Sequence, residues 1–330
     1  MKRLYKITLF CALLFSASIG FAQQQTDREK GIELYKKGSY KESAAVLEKF
    51  VKATPNDAEA RTFLALSQIK IGKLKDAVKM LDKSLELKPN QPDARKAYAY
   101  ALLLRGKLNE SVNQITNLKA MQPRLDAESF YILGWANLRL ENYDESLENA
   151  EQAVKLDPKM PEAYYLKAQA MMNRRNVPTD YAAIAAKYGS AADNIGKFIV
   201  LSAALPDAPY WTGQQETLKV FAAYYAEKEK NKGAADTGDA ANSTPLKIIA
   251  KPRADYTDRA RQAGVSGTVR LMVAFTENGK VENVLVLSSL GYGLDWEAVK
   301  AAKKIKYEPE TRNGKPVTSV RTLEYTFTIY

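Results

Sequence analysis

The chain has 330 residues, 26% charged and 46% hydrophobic, a balance that supports folded domains with apolar cores, about two of them at this length. Its net charge is +11, it has no histidine, and its one cysteine, Cys11, lies in a segment expected to be removed. A mature chain without either residue type has no disulfide, thiolate nucleophile, Ser-His-Asp triad or zinc site with Cys or His ligands, which argues against an enzyme and calls for no cofactor or metal.

Residues 1–22 read as a signal peptide. Lys2, Arg3 and Lys6 form a basic start, Ile7 to Phe15 an apolar run, and Gly20-Phe21-Ala22 a small-residue cleavage site. Cleavage after Ala22 leaves Gln23 first, and the exported chain is expected in the periplasm. The uncharged run from Ile7 to Ala22 is 16 residues, short of the roughly 20 that cross a bilayer; an uncleaved inner-membrane anchor is the alternative. Cys11 follows Phe10 without the small residues expected before a lipidated cysteine. The basic balance suits nucleic acid, anionic lipid or anionic polymer, or simply solvated helix faces. Export and the lack of an aromatic-plus-basic signature set nucleic acid aside.

From residue 23 to 175 the chain repeats. Pro55, Pro89, Pro123 and Pro158 recur every 34 or 35 residues, the period of a helical solenoid. Small residues that let two helices approach precede them at constant distance: Gly31, Ala65, Ala99 and Gly134. Gly38, Gly72 and Gly106 mark the turn between paired helices, where Glu141 departs. Tyr40, Leu74, Leu108 and Tyr143 follow, and Ser43, Ala77, Ser111 and Ser146 hold the small position of the second helix. This spacing resembles the tetratricopeptide repeat over four units, from about Asp27 to Pro158, with a fifth first helix from Pro161 to Arg174. Members of that family bind partners, usually peptide segments, on the concave surface made by the first helices. Carried over by position, the resemblance points to Tyr35, Tyr100, Tyr131, Trp135 and Arg139; core packing for the aromatics and a solvated face for Arg139 are the alternatives.

Residues 176–230 stay helix-rich but lose the repeat phase, and Thr217 to Tyr225 reads as an amphipathic helix suited to cap the solenoid. Residues 231–245 turn small and polar, a flexible linker. Such a linker predicts that the repeat array and the C-terminal residues fold independently.

Within residues 246–330 the period changes to 2. Val269, Leu271, Val273 and Phe275 alternate with Thr268, Arg270, Met272 and Ala274, and Asn278-Gly279 suits a tight hairpin turn into a strand from Val281 to Leu287. Leu294, Ala298, Ala301 or Ala302, and Ile305 fall at helical spacing, with Pro309 as the stop. Leu323, Tyr325, Phe327 and Ile329 then alternate with Thr322, Glu324, Thr326 and Thr328, a half-buried strand.

The order Pro252, Tyr256, Ala260, Gly264, Gly267, then Asn278-Gly279-Lys280-Val281, Ser288-Ser289, Gly291, Leu294-Asp295, Tyr307-Glu308-Pro309 and Asn313-Gly314-Lys315-Pro316-Val317 resembles the TonB C-terminal domain family. Thr257 departs from the family's usual proline. The resemblance implies a small α+β domain that, in energy transducers, adds a strand from an outer-membrane receptor. The matching edge is about Thr318 to Thr328, giving Val320, Thr322, Glu324, Thr326 and Thr328 as partner-binding residues; shielding of the edge by charges such as Arg321 and Glu324 is the alternative. The fold expected is thus multidomain, an all-α tetratricopeptide-type solenoid followed by a small α+β TonB C-terminal-like domain. The function expected is a non-enzymatic envelope adaptor whose partners are envelope proteins or peptide segments, outer-membrane receptors among them. Cell-wall polymer and a second copy of the C-terminal domain are further candidate partners. Rival functions are a membrane-anchored TonB-type energy transducer, against which the missing histidine counts, and a cell-wall hydrolase, for which no carboxylate pair stands out.

Overall fold

The computed structural model describes residues 27–174, 180–202, 208–232 and 242–328; the expected signal peptide, most of the linker and Ile329 lie outside them. Contacts divide the chain into two compact units, Met1–Leu140 and Glu141–Tyr330. The boundary falls inside the repeat array rather than at the linker.

The first unit is a run of antiparallel helix pairs: α1 (27–36) with α2 (Tyr40–Ala53), α3 (Ala58–Lys70) with α4 (Leu74–Leu87), α5 (Pro92–Leu104) with α6 (Leu108–Met121), and then α7 (Ala127–Arg139). Local chemistry sets the starts. Asp57 and Asp126 accept from Ala60 N at 2.8 Å and Ser129 N at 2.9 Å as N-caps, and Pro92 occupies the first turn of α5, where no donor is needed. The small repeat positions let helices touch. A Cβ on Gly31 would sit 2.5 Å from Leu47 Cγ, and the fully buried hydroxyls of Ser43 and Ser111 donate to Gly31 O and Ala99 O, each at 2.8 Å. Gly38, Gly72 and Gly106 take φ of +82°, +80° and +77°. Glu141, at the equivalent place, takes +64°, a left-handed conformation that costs a residue with a Cβ about 1–2 kcal/mol.

The second unit opens with α8 (Tyr143–Leu156) and α9 (Pro161–Asn173), continues through α10 (Tyr181–Leu201) and α11 (Ala208–Lys230), and ends in the strand-rich region. There β1 (Lys247–Ala250) precedes α12 (Asp258–Ala263), followed by β2 (Gly267–Phe275), β3 (Val281–Ser288), α13 (Leu294–Ala302), β4 (Lys306–Glu308), β5 (Glu310–Arg312), β6 (Lys315–Val317) and β7 (Ser319–Phe327). The main sheet is antiparallel, in the order β3-β2-β7; β1 pairs with β4 and β5 with β6. A solenoid of repeats followed by a small strand-rich domain is therefore the architecture.

One face of the main sheet carries Val269, Leu271, Val273, Phe275, Tyr325 and Phe327, packed on Leu294, Ala298 and Val299 of α13. The opposite face is also covered. Met272, Ala274, Leu285 and Leu287 share a core with Ala168 and Met172 of α9, Tyr188 and Ile195 of α10, and Leu218 and Phe221 of α11. The helices and the sheet thus share one core where the linker suggested separate ones: the amphipathic face of α11 packs on α10 and β3 as well as ending the helical run. The polar stretch before the sheet is also partly tied down, since Thr244 pairs with Thr311 and Asn242 O accepts from Gly314 N at 2.8 Å.

Two local expectations need adjustment, and one departure from the family pattern has a structural role. The β2–β3 connection spans Thr276 to Lys280, with positive φ at Gly279 and not at Asn278, a longer loop than the two-residue turn. Helix α13 ends at Ala302, well before Pro309, because Tyr307 lies in β4 with its ring 4.8 Å from that of Phe275 and its hydroxyl donating to Thr276 O or Lys280 O. Where the family has proline, Thr257 caps α12, accepting from Ala260 N at 3.2 Å and donating to Tyr292 O at 2.7 Å.

Candidate functional site

A three-stranded sheet has two outer edges, and here they differ. On β3, Gln214 of α11 stands in for a neighbouring strand: its Nε2 donates to Val284 O at 3.1 Å and its Oε1 accepts from Val286 N at 3.0 Å. Val284 and Val286 therefore direct their main-chain groups off the sheet, and Leu285 between them directs its own toward Met272 on β2. Since Met272 bonds toward β3, its opposite number on β7, Thr322, directs its N–H and C=O away from β2. Alternation gives Val320, Glu324 and Thr326 the same outward direction. Two side-chain contacts agree: Lys251 Nζ donates to Glu324 O at 2.6 Å, and Arg321 Nη1 donates to Val320 O at 3.0 Å. Among the described residues no backbone hydrogen bond reaches the outer side of β7.

The side chains of the expected edge residues divide by position. Val320 is half-buried under the helices, Thr322, Glu324 and Thr326 are exposed, and Thr328 is exposed just past the last residue of β7. Thr326 Oγ1 lies 3.2 Å from Thr268 Oγ1. On the other face, burial pushes the Tyr325 hydroxyl up to about 12. Arg321 Nη2 also donates to Glu310 at 2.7 Å, and Arg312 does so at 3.0 Å. Burial alone would raise the Glu310 carboxyl, but those two guanidinium groups hold it below the usual carboxylate range.

The expected repeat-face residues all belong to the first unit. Tyr131 and Trp135 on α7 are half-buried in one cluster with Tyr100 of α5, their rings 6.4 Å apart and edge-on. Arg139 is exposed and donates to Leu103 O at 2.8 Å, tying α7 to α5. Tyr35 packs elsewhere, its ring 5.6 Å from that of Tyr40 and 5.5 Å from that of Phe63. Its hydroxyl is pushed up by burial, then by Tyr40 and by Glu128 of α7.

Comparison with known proteins matches residues 252–329 to the family described as Gram-negative bacterial TonB protein C-terminal, and residues 34–99 and 127–160 to tetratricopeptide repeat families. Tetratricopeptide repeats precede a TonB C-terminal domain in this chain. No curated protein matches it. Among solved structures, MamA 41-end from Desulfovibrio magneticus RS-1 is similar at 22% identity and TM-score 0.44, over 54% of this chain and 94% of that one. PilW, a type IV pilus biogenesis factor, is similar at 16% identity and TM-score 0.49 over 64% and 93%. Pseudomonas aeruginosa pilF is similar at 16% and 0.47 over 65% and 93%.

Repeat position also exposes residues that the sequence did not single out. Lys96 of α5 occupies the repeat position that Arg28 holds in α1, and both are engaged by acids at the start of the next first helix. Arg28 pairs with Asp57 at 2.9 Å and with Glu59; Lys96 pairs with Asp126 at 2.7 Å and Glu128 at 2.8 Å. The available signal was a basic residue followed, 29 residues on from Arg28 and 30 on from Lys96, by an Asp-Ala-Glu triplet. In the fifth repeat, Tyr165, Gln169, Met172 and Asn173 of α9 take the places of Tyr131, Trp135, Leu138 and Arg139 of α7. That face of α9 is already occupied by the chain itself: Tyr165 stacks edge-on with Trp211 at 5.0 Å, Met172 joins the core with Leu285, and Asn173 bonds Leu287 O at 2.5 Å while accepting from Arg270 at 2.7 Å. The TonB C-terminal domain thus rests on the repeat face of the last first helix.

Proposed function

We propose that the chain is a non-enzymatic adaptor of the bacterial envelope, exported by its N-terminal segment, in which β7 takes up an extended strand of a partner protein while the α5–α7 face holds another segment. Protein binding is supported by the two kinds of domain, each of which is associated with protein partners. The observation that carries the specific reading is the asymmetry of the sheet: Gln214 closes the β3 edge, and β7 keeps outward N–H groups at Thr322 and Thr326.

Proline is the direct test, because it deletes one main-chain donor. Thr322→Pro removes a donor to an incoming strand without removing a β2–β7 bond, so capture of an envelope partner fails while the fold survives. Leu323→Pro removes a donor to β2 and unfolds the sheet. Retention of every partner by a folded Thr322→Pro chain would dispose of the reading. Export is tested separately by the N-terminal sequence of the mature protein, expected to begin at Gln23.

A further inference from the structure

The β7 edge carries two cations, Arg321 and Lys251, each bonded to an outward carbonyl. Arg321 and Tyr325 are four residues apart, so their side chains lie on the same face of the strand. Lys251 sits over the Tyr325 ring at 4.6 Å, which brings its ammonium to that face as well. Arg321 is bonded to Val320 O and Glu310, and Lys251 to Glu324 O. Glu310 serves both Arg312 and Arg321. Glu324 projects to the opposite face, since even-numbered side chains of β7 alternate with the buried Tyr325 and Phe327.

An incoming strand would bring its own N–H groups to Val320 O and Glu324 O and displace the two cations from them. A neutral strand would leave both cations without those acceptors. A carboxylate opposite Arg321 and another opposite Tyr325 would take them over, because directly opposed residues share a face. Resting on the strand-addition reading above, we propose that the partner segment is an acidic strand with two carboxylates four residues apart on one face. A second copy of β7 does not meet this requirement: the face that carries Arg321 otherwise carries Ser319, Leu323, Tyr325 and Phe327 and has no carboxylate.

The probe is a labelled nine-residue peptide of alternating threonine and valine with glutamate at the third and seventh positions, compared with glutamine and lysine versions by fluorescence anisotropy on the whole chain. The glutamate peptide is expected to bind about tenfold tighter than the glutamine one, the upper range for two exposed ion pairs, and the gap should close in high salt. Combining Lys251→Gln with Arg321→Gln should erase the gap between the two peptides. Equal binding of the glutamate and glutamine peptides, with Thr322→Pro abolishing both, would overturn the acidic preference while keeping strand addition. Unchanged glutamate-peptide binding by folded Thr322→Pro would instead remove the strand-addition reading and the proposal with it. Failure of the glutamate peptide to bind, or dimerisation of the chain that Thr322→Pro abolishes, would also overturn the proposal.

Discussion

Gln214 of α11 and Val286 of β3 are joined by a buried hydrogen bond of 3.0 Å, and the same amide satisfies Val284 O at 3.1 Å. A side chain is doing what a fourth strand would do. Replacing Gln214 by leucine keeps its bulk but leaves one buried N–H and one buried C=O unpaired, each costing about 1–3 kcal/mol. We expect Gln214→Leu to lower the thermal midpoint markedly and to promote self-association through the opened β3 edge. Calorimetry with light scattering checks both; a variant as stable and monodisperse as the parent would show that β3 needs no cover.

The repeats were legible because every position is written several times: the prolines, the turn glycines and the small residues at Gly31, Ala65 and Ala99 reinforce one another. The edge strand was legible from the alternation of Leu323, Tyr325 and Phe327 with Thr322, Glu324 and Thr326. Which way its main-chain groups point was not, since parity needs an anchor such as Gln214 or Lys251 brought from elsewhere in the chain. The two-sided burial of the sheet had left a trace in the unbroken apolar run Val284-Leu285-Val286-Leu287 and in Met272 and Ala274. What covers them could not be read, because an amphipathic helix states that it has a partner and not which one. Strands β1 and β4 are too short to show a period, and all four residues of β1 are exposed.

Glu141 stands in the left-handed position that glycine fills in three earlier repeats. Glu141→Gly should stabilise the chain by about 1 kcal/mol, less whatever the carboxylate contributes through its own contacts. Urea denaturation measures this. A loss of stability would mean that those contacts outweigh the backbone strain.

Lys96 bridges Asp126 and Glu128, whose side chains are 51% and 57% exposed, so the cluster contributes only about 1 kcal/mol. Burial raises the Asp126 carboxyl, but bonds from Lys96 and Ser129 more than reverse this, so its folded value lies below the usual one. Its contribution is present above the ordinary carboxylate range and lost as pH falls through the lower native value. For Lys96, burial lowers the ammonium and the two acids more than restore it, so its contribution is present below the ordinary lysine value and lost as pH climbs past the raised one. Lys96→Met should therefore be destabilising at about pH 7 and lose most of that difference at strongly acidic pH. Denaturation curves at both pH values decide it; a deficit independent of pH would point to lost packing of the lysine stem.

Separation of helices from sheet is the sharpest test of the fold. Met272, Leu285 and Leu287 each lose their cover if α9–α11 leave, at about 1.5–3 kcal/mol per large apolar side chain. Asn173, Gln214 and Arg270 lose buried partners besides. The total rivals the 5–15 kcal/mol that holds a typical domain together. A protease site inserted within residues 233–241 should thus yield two pieces that stay associated on size exclusion and melt in one transition. Residues 246–330 expressed alone should be poorly folded or should aggregate, and adding residues 141–232 should restore them. Cooperative melting of residues 246–330 by themselves, at the same temperature as in the whole chain, would show that the helices merely lie on the sheet and contribute nothing to its stability.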